Sequence, residues 1–290
     1  LLLPWTLSPS GNLSQAATTT KAPADAQLAD ALARIERRSG GQLGVEVWHT
    51  GSGRRWGHRR DERFPMCSSF KLLLAGAALH PAAAGALRLD EQLAYSRADL
   101  QPWSPVTEGL LAEGSMAVAA LCAATLATSD NTAANLLLAR LGGPTAVTTF
   151  LRSLGDPVTR LDRYEPEMNT PHPEWDSSAP RAMAHSLHAL LLGDVLAPPH
   201  RARLKAWLQA SVTGGRRLKA GLPAGWSIAE KTGTSDSGST NDIGVVWSPR
   251  GEPLVVAAFI RNSRAPHAQR EAALADVGRL AAGVADTGGG

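Results

Sequence analysis

The sequence predicts an α/β plus all-α fold, in which an antiparallel sheet is flanked by helices from the two chain ends and an all-helical lobe is inserted between the strands. Three observations carry this expectation. Strand-like runs occur only towards the ends of the chain, in QLGVEVWHT and GRRWGHR and again in WSIAEKTG, NDIGVVWS and PLVVAAFI. Between them, from about Ser69 to Gln209, the chain is rich in Ala and Leu with helical periodicity. One helical segment precedes the first strands and another follows the last. That order is buried most simply by a sheet assembled from both chain ends.

Residues 1–24 contain LLLPWTL followed by a polar, small-residue stretch, which reads as a signal-peptide remnant or a disordered linker. An arbitrary fragment end is the competing reading. Leu28, Leu32 and Ile35 then repeat at helical spacing, Arg37 and Arg38 fill the last turn, and Gly40-Gly41 is the stop. The turn Gly51 to Gly53 joins the first two strands as a hairpin. Helices are expected over Phe70 to Leu79, Val118 to Leu126, Thr132 to Leu141, Ala146 to Leu154, Ala182 to Leu192 and Arg201 to Leu208. The stretch from Arg160 to Pro180 has Pro166, Pro171, Pro173 and Pro180 and no periodicity, which marks a functional or disordered loop. A last helix runs from about Gln269 to Val284. The expected division is an α/β lobe of residues 25–66 and 210–290, and an all-α lobe of residues 67–209 that includes the loop at 160–180.

The 290 residues are 43% hydrophobic and 19% charged, which is ordinary for a globular protein. Net charge is +3, and the basic residues are scattered rather than gathered in a stripe, so no nucleic-acid partner is expected. No window reaches the ~18 uninterrupted apolar residues of a membrane span. The two cysteines, Cys67 and Cys122, admit one disulfide in an exported protein or two buried thiols in a cytosolic one. The eight His are dispersed. The nearest pair, His185 and His188, has no evident third ligand, and neither a metal nor a cofactor is expected.

Ser68-x-x-Lys71 has two elementary readings, a helix cap beside a solvated lysine or a nucleophile with its base one turn away. Chance alone gives about 0.4 such matches in a chain with 22 Ser and 5 Lys. Three further elements shift the balance towards chemistry: SDN at Ser129 to Asn131, EPEMN at Glu165 to Asn169 in the Pro-rich loop, and KTGT at Lys231 to Thr234 on a strand. A Ser at a helix N-terminus feels the positive end of the dipole. A Lys three residues on shares its face and can accept the hydroxyl proton if neighbours such as Lys231 hold its pKa down.

In these four motifs, and in SDNTAANLLL and RLDRYEPEMN around two of them, the chain resembles the class A serine β-lactamases over about residues 25 to 285. The resemblance implies Ser68 as nucleophile, Lys71 as a proton acceptor beside it, and Ser129 as a relay to the departing lactam nitrogen. It implies Glu165 with Asn169 positioning the deacylating water, Asn131 holding the substrate's amide side chain, and the N–H groups of Ser68 and Thr234 stabilising the oxyanion. The resemblance also implies that Lys231, Thr232, Gly233 and Thr234 form the substrate-binding strand, that Trp103 edges the site, and that Arg217 supplies the guanidinium for the substrate carboxylate. Thr240 occupies the alternative position for that charge. Asp176 pairs with Arg163 to close a loop somewhat shorter than is usual, and the Glu165-Pro166 bond is expected cis.

The implied substrates are penicillins and cephalosporins, and the implied consequence is antibiotic resistance. Poor carbapenem turnover is expected, because Cys67 faces Ser235 where carbapenem-hydrolysing members carry a disulfide. Both thiols are then unpaired. The resemblance further implies a periplasmic or secreted protein, and a monomer is expected. A D,D-peptidase of the same fold, and a sensor domain that stays acylated, are the alternatives. Neither needs a deacylating Glu165.

Overall fold

The computed structural model describes residues 24–83 and 85–287, so the expected leader or linker lies, apart from Ala24, outside them. Helix α1 (Ala24–Ser39) turns Leu28, Leu32 and Ile35 into the core. It ends at Gly40, whose φ of +70° is the left-handed conformation that a Gly adopts without a Cβ penalty. Strands β1 (Gln42–His49) and β2 (Arg55–His58) form the expected antiparallel hairpin, with Val47 opposite Trp56. The short β3 (Phe64–Pro65) leads to α2 (Phe70–Ala83). Then come β4 (Gln92–Ala94), α3 (Pro105–Gly109), β5 (Ser115–Ala117), α4 (Val118–Ala127), α5 (Asn131–Leu141) and α6 (Pro144–Ser153). After β6 (Ser177–Ser178) follow α7 (Pro180–Leu191), α8 (Pro198–Gln209) and the single turn α9 (Leu218–Gly221). The chain closes with β7 (Ser227–Thr234), β8 (Thr240–Trp247), β9 (Pro253–Arg261) and α10 (His267–Thr287).

Strands from both ends form one five-stranded sheet in the order β2-β1-β9-β8-β7, antiparallel at every step. Successive side chains alternate between its faces. Leu254, Val256, Ala258 and Ile260 of β9 join Leu43, Val45 and Val47 of β1 in a core with α1 and α10. Val255, Ala257 and Phe259 point the other way, into a core shared with the helical segment. Burying each such Val, Ile or Phe contributes about 1.5–3 kcal/mol.

Helix α2 is the centre of that second core. From Phe70 to Leu79 every residue is buried, as expected for a helix apolar all round. Its neighbours are α4, α5, α6, α7 and α8. Its one buried cation, Lys71, lies in the first turn, where α2 faces the edge strand β7. The sequence reading placed eight of the ten helices described, missing the short α3 and α9, and did not place all of the ends. Helices α7 and α8 begin at Pro180 and Pro198, ahead of the apolar repeats that signal them, because Pro fits the first helical turn.

The Pro-rich segment 160–180 is ordered without apolar periodicity. Strand β6 pairs with β3, and Arg160 bridges to Ser177. Arg163 Nε donates to Asp176 Oδ2 at 2.6 Å, the expected closing pair, while Asp176 Oδ1 accepts from the backbone N–H groups of Asp162 and Arg163. Arg163 also reaches Thr170 O at 2.8 Å.

Candidate active site

Ser68 sits in the 3-10 turn Cys67–Ser69 that feeds α2. Cys67 before it has φ +45°, a left-handed conformation that costs a non-glycine residue energy and is held by the packing around it. Lys71, three residues after Ser68, points back along the helix, and its Nζ donates to Ser68 Oγ at 3.0 Å. The same ammonium donates to Ser129 O at 2.9 Å and to Asn131 Oδ1, and lies 3.1 Å from Glu165 Oε1. Burial pushes the Lys71 pKa down, and the Glu165 carboxylate opposes the shift.

Ser129 and Asn131 flank the start of α5. Ser129 has φ +65°, and its Oγ lies between two amines, Lys71 Nζ at 3.3 Å and Lys231 Nζ at 3.2 Å. Lys231, also fully buried, has its pKa driven well below the ordinary value by burial and then by the nearby charges of Lys71 and Arg217. Asp130 between the two motif residues caps α5, accepting Ala133 N at 2.9 Å. It also accepts the N–H groups of Val106 and Thr107, each at 2.9 Å, which ties α3 and its preceding loop to the motif.

That loop carries Trp103, whose side chain is 67% exposed, so the aromatic belongs to the rim and not to the core. Its indole N–H donates to Thr128 O at 2.9 Å, and its carbonyl accepts Asn131 N at 3.0 Å. Asn131 Nδ2 donates to the adjoining Pro102 O at 2.7 Å.

Glu165 enters from the Pro-rich loop through a cis Glu165-Pro166 bond, as expected, and is 2% exposed. Its Oε1 accepts Ser68 Oγ at 3.3 Å and its Oε2 accepts Asn169 Nδ2 at 2.6 Å. Asn135 clamps its backbone from α5: Oδ1 accepts Glu165 N at 3.0 Å and Nδ2 donates to Glu165 O at 2.8 Å. Sequence reasoning missed Asn135. The signal was present, since Asn135 lies four residues after Asn131 and therefore on the same helical face.

On the opposite wall, Gly233 lets β7 approach the nucleophile turn. A Cβ there would fall 2.5 Å from Met66 O and 3.1 Å from Ser69 N. Beside it the Thr232 hydroxyl bonds Thr213 Oγ1 at 2.7 Å. Arg217 is only 4% exposed. Its Nη1 donates to Gly233 O at 3.0 Å and Asn241 O at 2.8 Å, and its Nη2 to Thr234 Oγ1 at 2.8 Å. A Thr234 hydroxyl that accepts from a guanidinium is left with its own proton to give.

Cys67 and Cys122 are both free and buried, and the Cys67 thiol contacts Ser235, the residue expected to face it. Burial pushes each thiol up to about 12. His188 stacks on Trp48 at 4.2 Å between ring centroids, and His185 Nε2 bonds Leu154 O at 2.8 Å. These contacts give both rings packing roles. A groove of about 760 Å³ between α1 and α10 contains none of the residues singled out by the motifs.

A family model described as the beta-lactamase enzyme family matches residues 27–285. Beta-lactamase AST-1 of Nocardia asteroides is 46% identical over 266 residues, covering 90% of this chain and 84% of the relative. The carbapenem-hydrolyzing beta-lactamase KPC of Klebsiella oxytoca is 44% identical over 257 residues, covering 88% and 87% of the two chains. Among solved structures, the class A beta-lactamase of the last common ancestor of Gram-negative bacteria (GNCA4) superposes with a TM-score of 0.86 at 53% identity, over 90% of this chain and 99% of that one. Sequence motifs, antiparallel sheet and matched length agree, and the chain belongs to the class A serine beta-lactamases, hydrolases acting on cyclic amides.

Proposed function

We propose that the protein opens the β-lactam ring of penicillins and cephalosporins through an acyl-enzyme on Ser68, and frees that enzyme with a water activated by Glu165. One observation carries the reading: Ser68 Oγ is within hydrogen-bond distance of both Lys71 Nζ and Glu165 Oε1. In the first step the hydroxyl proton passes to this pair as Oγ bonds to the lactam carbonyl carbon. The developing oxyanion is met by the N–H groups of Ser68 and Thr234. As the C–N bond breaks, Ser129 hands a proton to the lactam nitrogen and is reprotonated through the amines on either side of it. In the second step Glu165 takes a proton from a water oriented with Asn169, and the hydroxide displaces Ser68 from the acyl carbon.

Substrate recognition is divided between the two walls. Asn131 and Trp103 meet the side chain on one wall, while Lys231, Thr232, Thr234 and Arg217 meet the carboxylate on the other. The cleft so defined lies between an α/β lobe of residues 25–66 and 210–290 and an all-α lobe of residues 67–209. Carbapenems are poor substrates in this reading, because the Cys67 thiol meets a Ser235 hydroxyl and no covalent strut joins the nucleophile turn to the strand. The protein acts outside the cytoplasm as a monomer. Among the described residues no helix is long and apolar enough to cross a membrane.

The test is turnover of a chromogenic cephalosporin, followed by a penicillin and a carbapenem. Many cycles per enzyme support a hydrolase; a single equivalent supports the sensor alternative. A carbapenem kcat/KM within about tenfold of that for the penicillin overturns the spectrum.

A further inference from the structure

One face of the β7–β8 ladder is polar where a sheet face is ordinarily apolar. Thr232 lies opposite Asp242 and Thr234 opposite Thr240, so these four side chains and that of Glu230, two residues before Thr232, share a face. The segment from Thr213 to Leu218 is laid along it. Thr213 bonds Thr232, Arg217 Nη2 donates to Thr234 Oγ1, and Leu218 N donates to Asp242 Oδ2 at 3.0 Å. Gly214 passes so near Glu230 that a Cβ would fall 1.9 Å from its Oε1.

Two atoms at the centre of this contact have no donor. Glu230 Oε2 and Asp242 Oδ1 are both buried and unpartnered, and their side chains are diagonal neighbours on this face, Glu230 standing opposite Gly244 and Asp242 opposite Thr232. Carboxylates carry acceptors only, so two of them can bond only through a proton held between them. Leaving both acceptors orphaned in a dry contact is the costly alternative.

We propose that Glu230 and Asp242 share one proton as an acid–carboxylate pair, which pins the segment Thr213–Leu218 to the sheet and so positions Arg217 beside Thr234. Burial pushes both carboxyls above their ordinary range, Asp242 the further, and Glu230 adds to the rise at Asp242. Arg217 from the segment, Lys219 just after it and Lys231, the next residue along β7, are the cations whose charges act on Glu230. They balance the single charge that the pair retains. Glu230 and Asp242 are positioning residues, acting through the segment they hold. Their consequence for catalysis rests on Arg217 meeting the substrate carboxylate.

The pair is tested first by infrared spectroscopy of the whole protein at neutral pH. The wild type is expected to show the C=O band of a protonated carboxylic acid, shifted in D2O. Glu230→Gln and Asp242→Asn should each remove it, because the amide donates in place of the acid and the remaining carboxyl ionises. Two independently protonated acids would leave a band in each variant, and that result, or a wild type without the band, overturns the shared proton.

The positioning role is tested by kinetics on a penicillin. Asp242→Ala is expected to raise KM about tenfold with kcat within about twofold, and Asp242→Asn to recover most of the loss. Added to Arg217→Ala, Asp242→Ala should raise KM no further, since both act through one contact. Additive effects overturn the role. If Arg217→Ala by itself leaves KM unchanged, the reading of Arg217 fails while the infrared result still decides the pair.

Discussion

Replacing Asp130 by Ala removes the acceptor on which the SDN segment is built. The carboxylate is fully buried and receives four donors, Val106 N, Thr107 N, Thr107 Oγ1 and Ala133 N, each at 2.9 Å. Losing the helix cap at Ala133 costs about 1 kcal/mol. The Val106 and Thr107 amides, stranded in the interior, cost about 1–3 kcal/mol each, and the Thr107 hydroxyl can rotate to another acceptor. The sum is about 5 kcal/mol, a large share of the ~5–15 kcal/mol that a native protein holds. At ~2–4 °C per kcal/mol for a chain of this size, Tm should fall by roughly 10–20 °C.

Asp130→Asn keeps one acceptor for Ala133 but turns amide hydrogens towards donors, so it should lose about half as much. Urea unfolding monitored by circular dichroism measures both, with the midpoint falling and the slope unchanged. A loss under about 1 kcal/mol for Asp130→Ala at unchanged slope refutes the reasoning.

Lys231→Met should abolish efficient turnover yet raise stability by about 1 kcal/mol, because it removes a buried cation repelled by Lys71 and Arg217. The sign of the pH dependence follows from linkage. The folded pKa lies below the unfolded value of ~10.4, so between the two the unfolded chain binds more protons and wild-type stability rises with pH. The advantage of the variant is therefore full below the folded pKa and shrinks as pH climbs towards ~10.4; an advantage that grows with pH over that window contradicts the account. Thiol titration should find no rapidly reacting group in the native protein, since both cysteines are buried and their pKa values are pushed to about 12, and two groups in denatured, unreduced protein. Fewer than two on denaturation would reveal a disulfide.

The parts legible in the sequence are those whose signal repeats or whose chemistry is spelled by neighbouring residues. The apolar runs of α2 and β9 are enforced by burial along a whole element, and both were read with their neighbours in order. Strands β4 and β5 pair over three residues each, too short for a period to emerge. The loop 160–180 owes its order to Arg163, Asp162 and Asp176, whose pairing across the loop leaves no periodic trace. Ser68, Lys71 and Ser129 could be named because their motif spacing is itself the geometry. The burial of Arg217, the clamp of Asn135 on Glu165 and the carboxyl pair of Glu230 and Asp242 depend on contacts between distant segments. The sequence put Glu230 beside Lys231 in a strand-like run, without showing what would cover it.

The most direct test of the two-step mechanism is intact-protein mass spectrometry of Glu165→Gln mixed with a penicillin. The variant keeps Ser68 and Lys71, the pair placed at 3.0 Å, and loses the carboxylate that stands 2.6 Å from Asn169 Nδ2. Steady-state kcat should fall by about 10²–10⁴, and the mass should rise by one penicillin in an adduct that persists and that Ser68→Ala abolishes. Undiminished turnover, or protein that shows no adduct on Ser68, contradicts the assignment of deacylation to Glu165.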